Sequence, residues 1–134
     1  MTDRSALRTH LRKTRRELSP VEQADLAEAL AIHISSHRLF INSHKIACYI
    51  PVDGEIDPYP LLYRAMDMGK SVYLPVLVPF GPNRLWFAPY QLNSKMTLNR
   101  YGIPEPQVPK SKLPDPRSLD LVLAPLVGFD TDCN

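Results

Sequence analysis

The chain predicts an α/β domain with a mostly parallel sheet, and two observations carry that expectation. Helical patterns alternate with short apolar runs: "KIACYIP" (45–51), "SVYLPVLV" (71–78) and "LDLVLAPLV" (119–127). Apart from polar residues near their starts those runs are apolar, as strands covered on both faces are, and do not alternate with polar residues. At 134 residues, 44% hydrophobic and 22% charged, residues 1–134 form one domain with enough chain for a core.

The elements follow in order. Residues 4–18 read as a helix with Leu7, Leu11 and Leu18 on one stripe. "SPVE" (19–22) sets Ser at the N-cap, Pro at the first helical position and Glu three residues on, a capping box. The helix it opens runs to about His37, with Leu26, Leu30 and Ile34 on one face. The strand 45–51 is stopped by Pro51, and "GEIDPYP" follows as a loop. Asp57-Pro58 caps a third helix reaching Met68, and Gly69 ends it. After the strand 71–78, "PFGPN" is a turn and "RLWFAPY" (84–90) a strand going back. Residues 91–118, Pro-rich and weakly periodic, predict a long structured loop before the last strand, 119–127.

Charge and composition exclude several classes. No apolar run approaches the eighteen or so residues of a membrane span. The basic N-terminus has no apolar core of the kind a secretory signal needs. Cys48 and Cys133 have no disulfide-framework spacing and fit a reducing compartment, so the expected location is cytoplasmic. Net charge is +2 but uneven: residues 1–18 hold six basic and two acidic residues, the rest ten and twelve. A local basic patch asks for a local anionic partner and not for bulk nucleic-acid binding.

Four features are candidates for chemistry. Arg4, Arg8, Arg12 and Arg15 fall in one sector of the first helix, bordering the leucine stripe. Guanidinium forks there suit phosphate, while a solvated charged face is the alternative. Glu55 lies just past the end of a strand expected to be parallel, where such sheets bind ligands. Asp57 has a capping role; Glu55 has no evident structural one. "RYGIPEPQVP" stiffens a loop that displays Tyr101 and Ile103, as a pocket wall or as a plain crossover. His33 and His37 stand at metal-ligand spacing without a third ligand nearby, and neither cysteine has a nucleophile's partner. No ligating set for a metal is identified. The five glycines are scattered, so no phosphate-cradling glycine motif is present.

In order along the chain, "RSALRTHLRKTRREL", "YIPVDGEID", "KSVYLP", "YGIPEP" and "LDLVLAPLVGFD" resemble the 5-formyltetrahydrofolate cyclo-ligase family, also called methenyltetrahydrofolate synthetases. The resemblance implies a three-layer α/β/α domain of the NagB/RpiA/CoA-transferase-like kind. It implies an ATP- and Mg²⁺-dependent ring closure: the formyl oxygen of 5-formyltetrahydrofolate is phosphorylated, N10 attacks, and phosphate leaves. The products are 5,10-methenyltetrahydrofolate, ADP and phosphate. Carried over by position, Arg4 and Arg8 are the nucleotide contacts, Arg4 standing where Lys is more usual. Glu55 contacts the folate, Ile50 is its apolar neighbour, and Tyr101 can stack on the pterin.

In this family a glycine-rich segment of the type R-L-G-x-G-x-G-Y-Y-D follows "GFD", and here the sequence stops at Asn134. The expectation is therefore a cyclo-ligase without its C-terminal part and with little or no turnover alone. A non-catalytic folate-binding remnant is the alternative, and a small nucleic-acid-binding module a more distant one. The expected partners are the folate and ATP, with neither nucleic acid nor membrane. Full-length relatives are expected to be monomers, and this chain to self-associate.

Overall fold

The structure, a computed structural model, describes residues 3–78 and 85–134. The turn expected at 79–83, and the first residue of the strand expected at 84–90, lie outside the described residues.

Helix α1 spans Arg4–Arg16, with the Asp3 carboxylate accepting the Ser5 N–H at 2.9 Å. It stops two residues short of the expected end, where Leu18 N–H bonds the Arg15 carbonyl three residues back and Ser19 turns extended to cap the next helix. Helix α2, Pro20–Ser35, opens on the expected capping box: Ser19 Oγ accepts from Glu22 N–H, and Glu22 Oε1 accepts from Ser19 N–H. It ends before His37, whose extended backbone and Nδ1, accepting from Leu39 N–H, cap the short helix α3, Arg38–Ile41. That capping bond gives His37 a structural role. Helix α4, Tyr59–Asp67, starts where Asp57 Oδ1 accepts the Tyr59 N–H at 2.9 Å. At its end Gly69 takes φ +76°, and Lys70 and Gly69 N–H groups bond the Ala65 and Met66 carbonyls, a Schellman stop.

Four strands form the main sheet: β1 (Lys45–Ala47), β2 (Ser71–Val76), β3 (Trp86–Tyr90) and β6 (Leu121–Val122), in the order β3-β2-β1-β6. The pairs β1–β2 and β1–β6 are parallel and β2–β3 is antiparallel, so the α/β class with a mostly parallel sheet stands. Two expected strands are shorter than their apolar runs. The run 45–51 keeps the ladder through Ala47, with a last bond from Cys48 N–H to the Tyr73 carbonyl. The run 119–127 pairs only at Leu121–Val122, ending with Leu123 N–H on the Ala47 carbonyl. A strand lasts only as long as its partner, and Pro125 brings no donor to extend this one.

Side-chain alternation along β1 and β2 divides the core. Ile46, Cys48, Val72 and Leu74 face α2–α4 and pack with Ala31, Phe40, Leu61, Leu62 and Ala65. Ala47, Tyr73 and Phe87 face the other way, in a smaller cluster against Leu119. The region expected as one long loop contains a second sheet: β4 (Met96–Leu98) pairs antiparallel with β5 (Pro104–Pro106). Asn99 Oδ1 closes its turn by accepting from the Tyr101 and Ile103 N–H groups. Glu105, 5% exposed, ties this hairpin to the sheet by accepting from Leu77 N–H and from Lys110 Nζ. Two 3-10 turns, Lys110–Lys112 and Pro116–Ser118, lead into β6.

Asp120 anchors that last strand. Its Oδ2 accepts from both His44 and Lys45 N–H at 2.9 Å, bonds that hold its carboxyl below the usual 3.8. A depressed carboxylate contributes stability that is complete above the ordinary value and lost as pH falls through the folded one. Asp120→Asn is therefore expected to lower the denaturation midpoint at pH 7. That deficit should shrink as pH falls below the ordinary carboxylate value, checked by urea melts across pH 2–7.

Candidate substrate cleft

The chain leaving β1 makes a tight turn. Asp53 and Gly54 adopt φ +53° and +76°, and Glu55 N–H bonds the Val52 carbonyl at 3.1 Å. Two successive positive φ values are what a type I′ turn requires, and Asp-Gly is a pair that supplies them. Glu55 Oε1 accepts from Val52 N–H at 3.0 Å, so Glu55 has a structural bond that the sequence did not reveal. Nearby, the Tyr49 hydroxyl donates to the Ile56 carbonyl. Burial, with Cys48, Glu55 and Asp57 adding to it, raises the Tyr49 pKa further, so Tyr49 stays a neutral donor. The neighbouring Cys48 thiol is pushed up to about 12 by burial, which leaves it without thiolate character.

Helix α1 docks on this turn by its arginines. Arg16 grips Asp53 with both oxygens engaged, at 2.6 and 2.7 Å, and Arg15 Nε donates to the Asp53 carbonyl at 3.0 Å. Higher up, a Cβ placed on Gly128 would lie 2.5 Å from Leu11 Cδ1, so the chain after β6 runs directly beneath Leu11. The domain-facing stripe is therefore Leu11 and Arg15, turned from the expected leucine stripe towards the arginines. Leu7 is left 44% exposed, and no residue of α1 is buried. At 100° per residue, Arg4, Arg8, Leu11 and Arg15 share a sector of about 60°. The stripe that meets the domain at Leu11 and Arg15 thus continues outward as Arg8 and Arg4.

A cavity of about 150 Å³ opens where the turn, α1, α2 and the chain after β6 converge. Its walls include Arg15, Tyr49, Glu55, Ile56 and Leu126. The site lies past the carboxyl ends of the neighbouring parallel strands β1 and β6, the position at which open α/β sheets bind ligands. Of the residues expected from sequence, Glu55 lines it. Arg4 and Arg8 are exposed along the same helix stripe, and among the described residues neither forms an ion pair. Ile50 packs on the helix-side core and not on the cavity. Tyr101 sits on the β4–β5 turn, 66% exposed, with the Arg100 guanidinium 5.0 Å from its ring centroid. Arg15 and Asp53 were missed as a pair; the Asp-Gly dipeptide was the available signal for the turn that joins them.

An open α/β sheet with a cavity at its carboxyl edge, walled by a carboxylate turn and an arginine-bearing helix, defines an α/β domain with a candidate ligand cleft. Within that class, the chain belongs to the 5-formyltetrahydrofolate cyclo-ligase family, whose model matches residues 1–134. It is 34% identical over 120 residues to the 5-formyltetrahydrofolate cyclo-ligase of Escherichia coli K12, covering 90% of this chain and 66% of that protein. The cyclo-ligase of Haemophilus influenzae is 33% identical over 131 residues, covering 98% of this chain and 70% of that protein. Among solved structures, the Aquifex aeolicus 5,10-methenyltetrahydrofolate synthetase superposes with a TM-score of 0.78 at 28% identity, across 94% of this chain and 62% of that one. The Mycoplasma pneumoniae synthetase, at 19% identity and TM-score 0.67, shares the fold. The chain thus spans about two thirds of the length of these relatives. Relatives and family alike are enzymes of the ligase class.

Proposed function

We propose that this domain contributes the folate-and-nucleotide cleft of an ATP-dependent cyclo-ligase, converting 5-formyltetrahydrofolate to 5,10-methenyltetrahydrofolate with release of ADP and phosphate. The observation that carries this reading is the placement of Glu55 and Arg15 on one cavity, with Arg8 and Arg4 continuing the helix stripe beyond it. ATP supplies the phosphoryl group that turns a formamide oxygen, a poor leaving group, into a good one. Arg4 and Arg8 fit a triphosphate chemically, as exposed guanidiniums on one helix face with no internal carboxylate partner among the described residues. Glu55 fits the N–H donors of the pterin, its second oxygen being left for the ligand once Oε1 has taken Val52 N–H. A cavity of about 150 Å³ seats part of a folate, so the rest lies across open surface. Ile50 and Tyr101 are proposed as further folate contacts on the resemblance alone; the apolar wall of the cavity itself is Tyr49 and Ile56.

Among the described residues no group of three His, Cys, Asp or Glu side chains is arranged to hold a metal. Mg²⁺ is therefore proposed only as the ion that accompanies the nucleotide. No helix among the described residues is long and apolar enough to cross a membrane, and a cytoplasmic location is proposed with the function.

The test is calorimetric titration with 5-formyltetrahydrofolate, with and without ATP, alongside the absorbance of the methenyl product. Glu55→Gln keeps an acceptor for Val52 N–H and removes the charge, so folate affinity should fall about tenfold, the size of a charged hydrogen bond. A wild-type chain that binds neither folate nor nucleotide sinks the reading.

A further inference from the structure

Helix α1 presents the arginines assigned above to the nucleotide, yet none of its residues is buried. Its orientation therefore depends on a few contacts. Leu11 rests over Gly128, Gln23 Nε2 bonds the Arg15 carbonyl at 3.4 Å, and Arg15 and Arg16 close on Asp53. Asp53 is the strongest of these anchors by geometry: both carboxylate oxygens and its backbone carbonyl accept from the two guanidiniums. The Arg15 stem lies along Gly54, 3.5 Å from where a Cβ there would sit. Asp53 also belongs to the four-residue turn that ends in Glu55 and is held closed by the Glu55 N–H and carboxylate. One short turn thus touches both halves of the cleft.

We propose that Asp53 is a positioning residue: by clamping Arg15 and Arg16 from the turn that carries Glu55, it sets the angle between the basic helix and that carboxylate. Leverage gives the clamp its consequence. Arg4 stands twelve residues from Arg16, about 18 Å at 1.5 Å per residue, so a tilt of about 10° moves it by about 3 Å. That displacement exceeds the tolerance of a phosphate hydrogen bond. The clamp itself rests on the hydrogen bonds from Arg15 and Arg16 to Asp53; its effect on ligand binding rests on the function proposed above.

The experiment separates the two. Asp53→Asn removes the charge while keeping a side chain that tolerates positive φ. Amide hydrogen exchange of the unliganded chain is expected to quicken about threefold to fivefold along α1, the reach of an ordered exposed ion pair, and to stay unchanged in β2. ATP affinity should fall by a similar factor with the unfolding temperature preserved. Arg16→Gln should act in the same direction, and the double variant should lose no more than Asp53→Asn alone. Unchanged exchange in α1, or additive losses in the double variant, overturns the proposal. So does faster exchange accompanied by undiminished ATP affinity. If the wild-type chain binds no ATP, the function fails, while the exchange data still decide whether the clamp exists.

Discussion

Leu62→Ala is expected to remove about 2–5 kcal/mol of stability, the largest loss from any single truncation considered for this chain. Leu62 is 0% exposed at the centre of the helix-side core, where α4 meets Ile46, Val72 and Leu74. Removing its branched end leaves a cavity that α4 cannot close, because the helix is fixed by Asp57 at one end and by the Gly69 stop at the other. With a urea slope of about 2 kcal/mol/M the denaturation midpoint should fall by about 1–2.5 M. Against a total stability of about 5–15 kcal/mol this is a large fraction. Leu39→Ala, at a leucine 65% exposed on α3, should cost less than about 0.5 kcal/mol in the same measurement.

On the proposed function, the second large effect falls on the nucleotide. Arg8→Ala is expected to weaken ATP binding about tenfold to a hundredfold, since charge-assisted hydrogen bonds contribute about 1.5–3 kcal/mol each. The variant should unfold like the wild type, because Arg8 is exposed and carries no ion pair among the described residues. Arg8→Lys should recover part of the affinity: it keeps the charge and loses the two-pronged geometry. Arg117→Ala, a control at a guanidinium paired with Asp115 on the other side of the sequence, should leave ATP affinity unchanged. Titration of the three variants side by side checks all of this.

What the sequence made legible was local. The capping box at Ser19, the Gly69 stop and the returning strand at Trp86–Tyr90 each depend on neighbouring residues, and each is found; Asp57 bonds the Tyr59 N–H as expected, while the N-cap position itself falls one residue on, at Pro58. What it hid depends on partners far along the chain. The apolar runs at 45–51 and 119–127 mark strands, but their ends are fixed by the three-residue ladder of β1. The leucine stripe of α1 pointed to Leu7, Leu11 and Leu18, whereas the docking face is set by Asp53 and Gly128. Proline at 104 and 106 disguised β5, an edge strand that pairs through Glu105 and needs few donors. Glu55 was located correctly past a parallel strand, and its bond to Val52 N–H was not, because that bond exists only once Asp53 and Gly54 turn left-handed.

Amide chemical-shift mapping of the isotope-labelled chain tests the central claim most directly, namely that α1 and the Glu55 turn form two walls of one cleft. ATP is expected to shift amides of residues 4–12 and the neighbouring 126–129, and 5-formyltetrahydrofolate those of 49–56, with Gly54 and Glu55 moved by both. Shifts that leave α1 and the Glu55 turn untouched, and gather instead along Lys110–Ser118, would contradict the account.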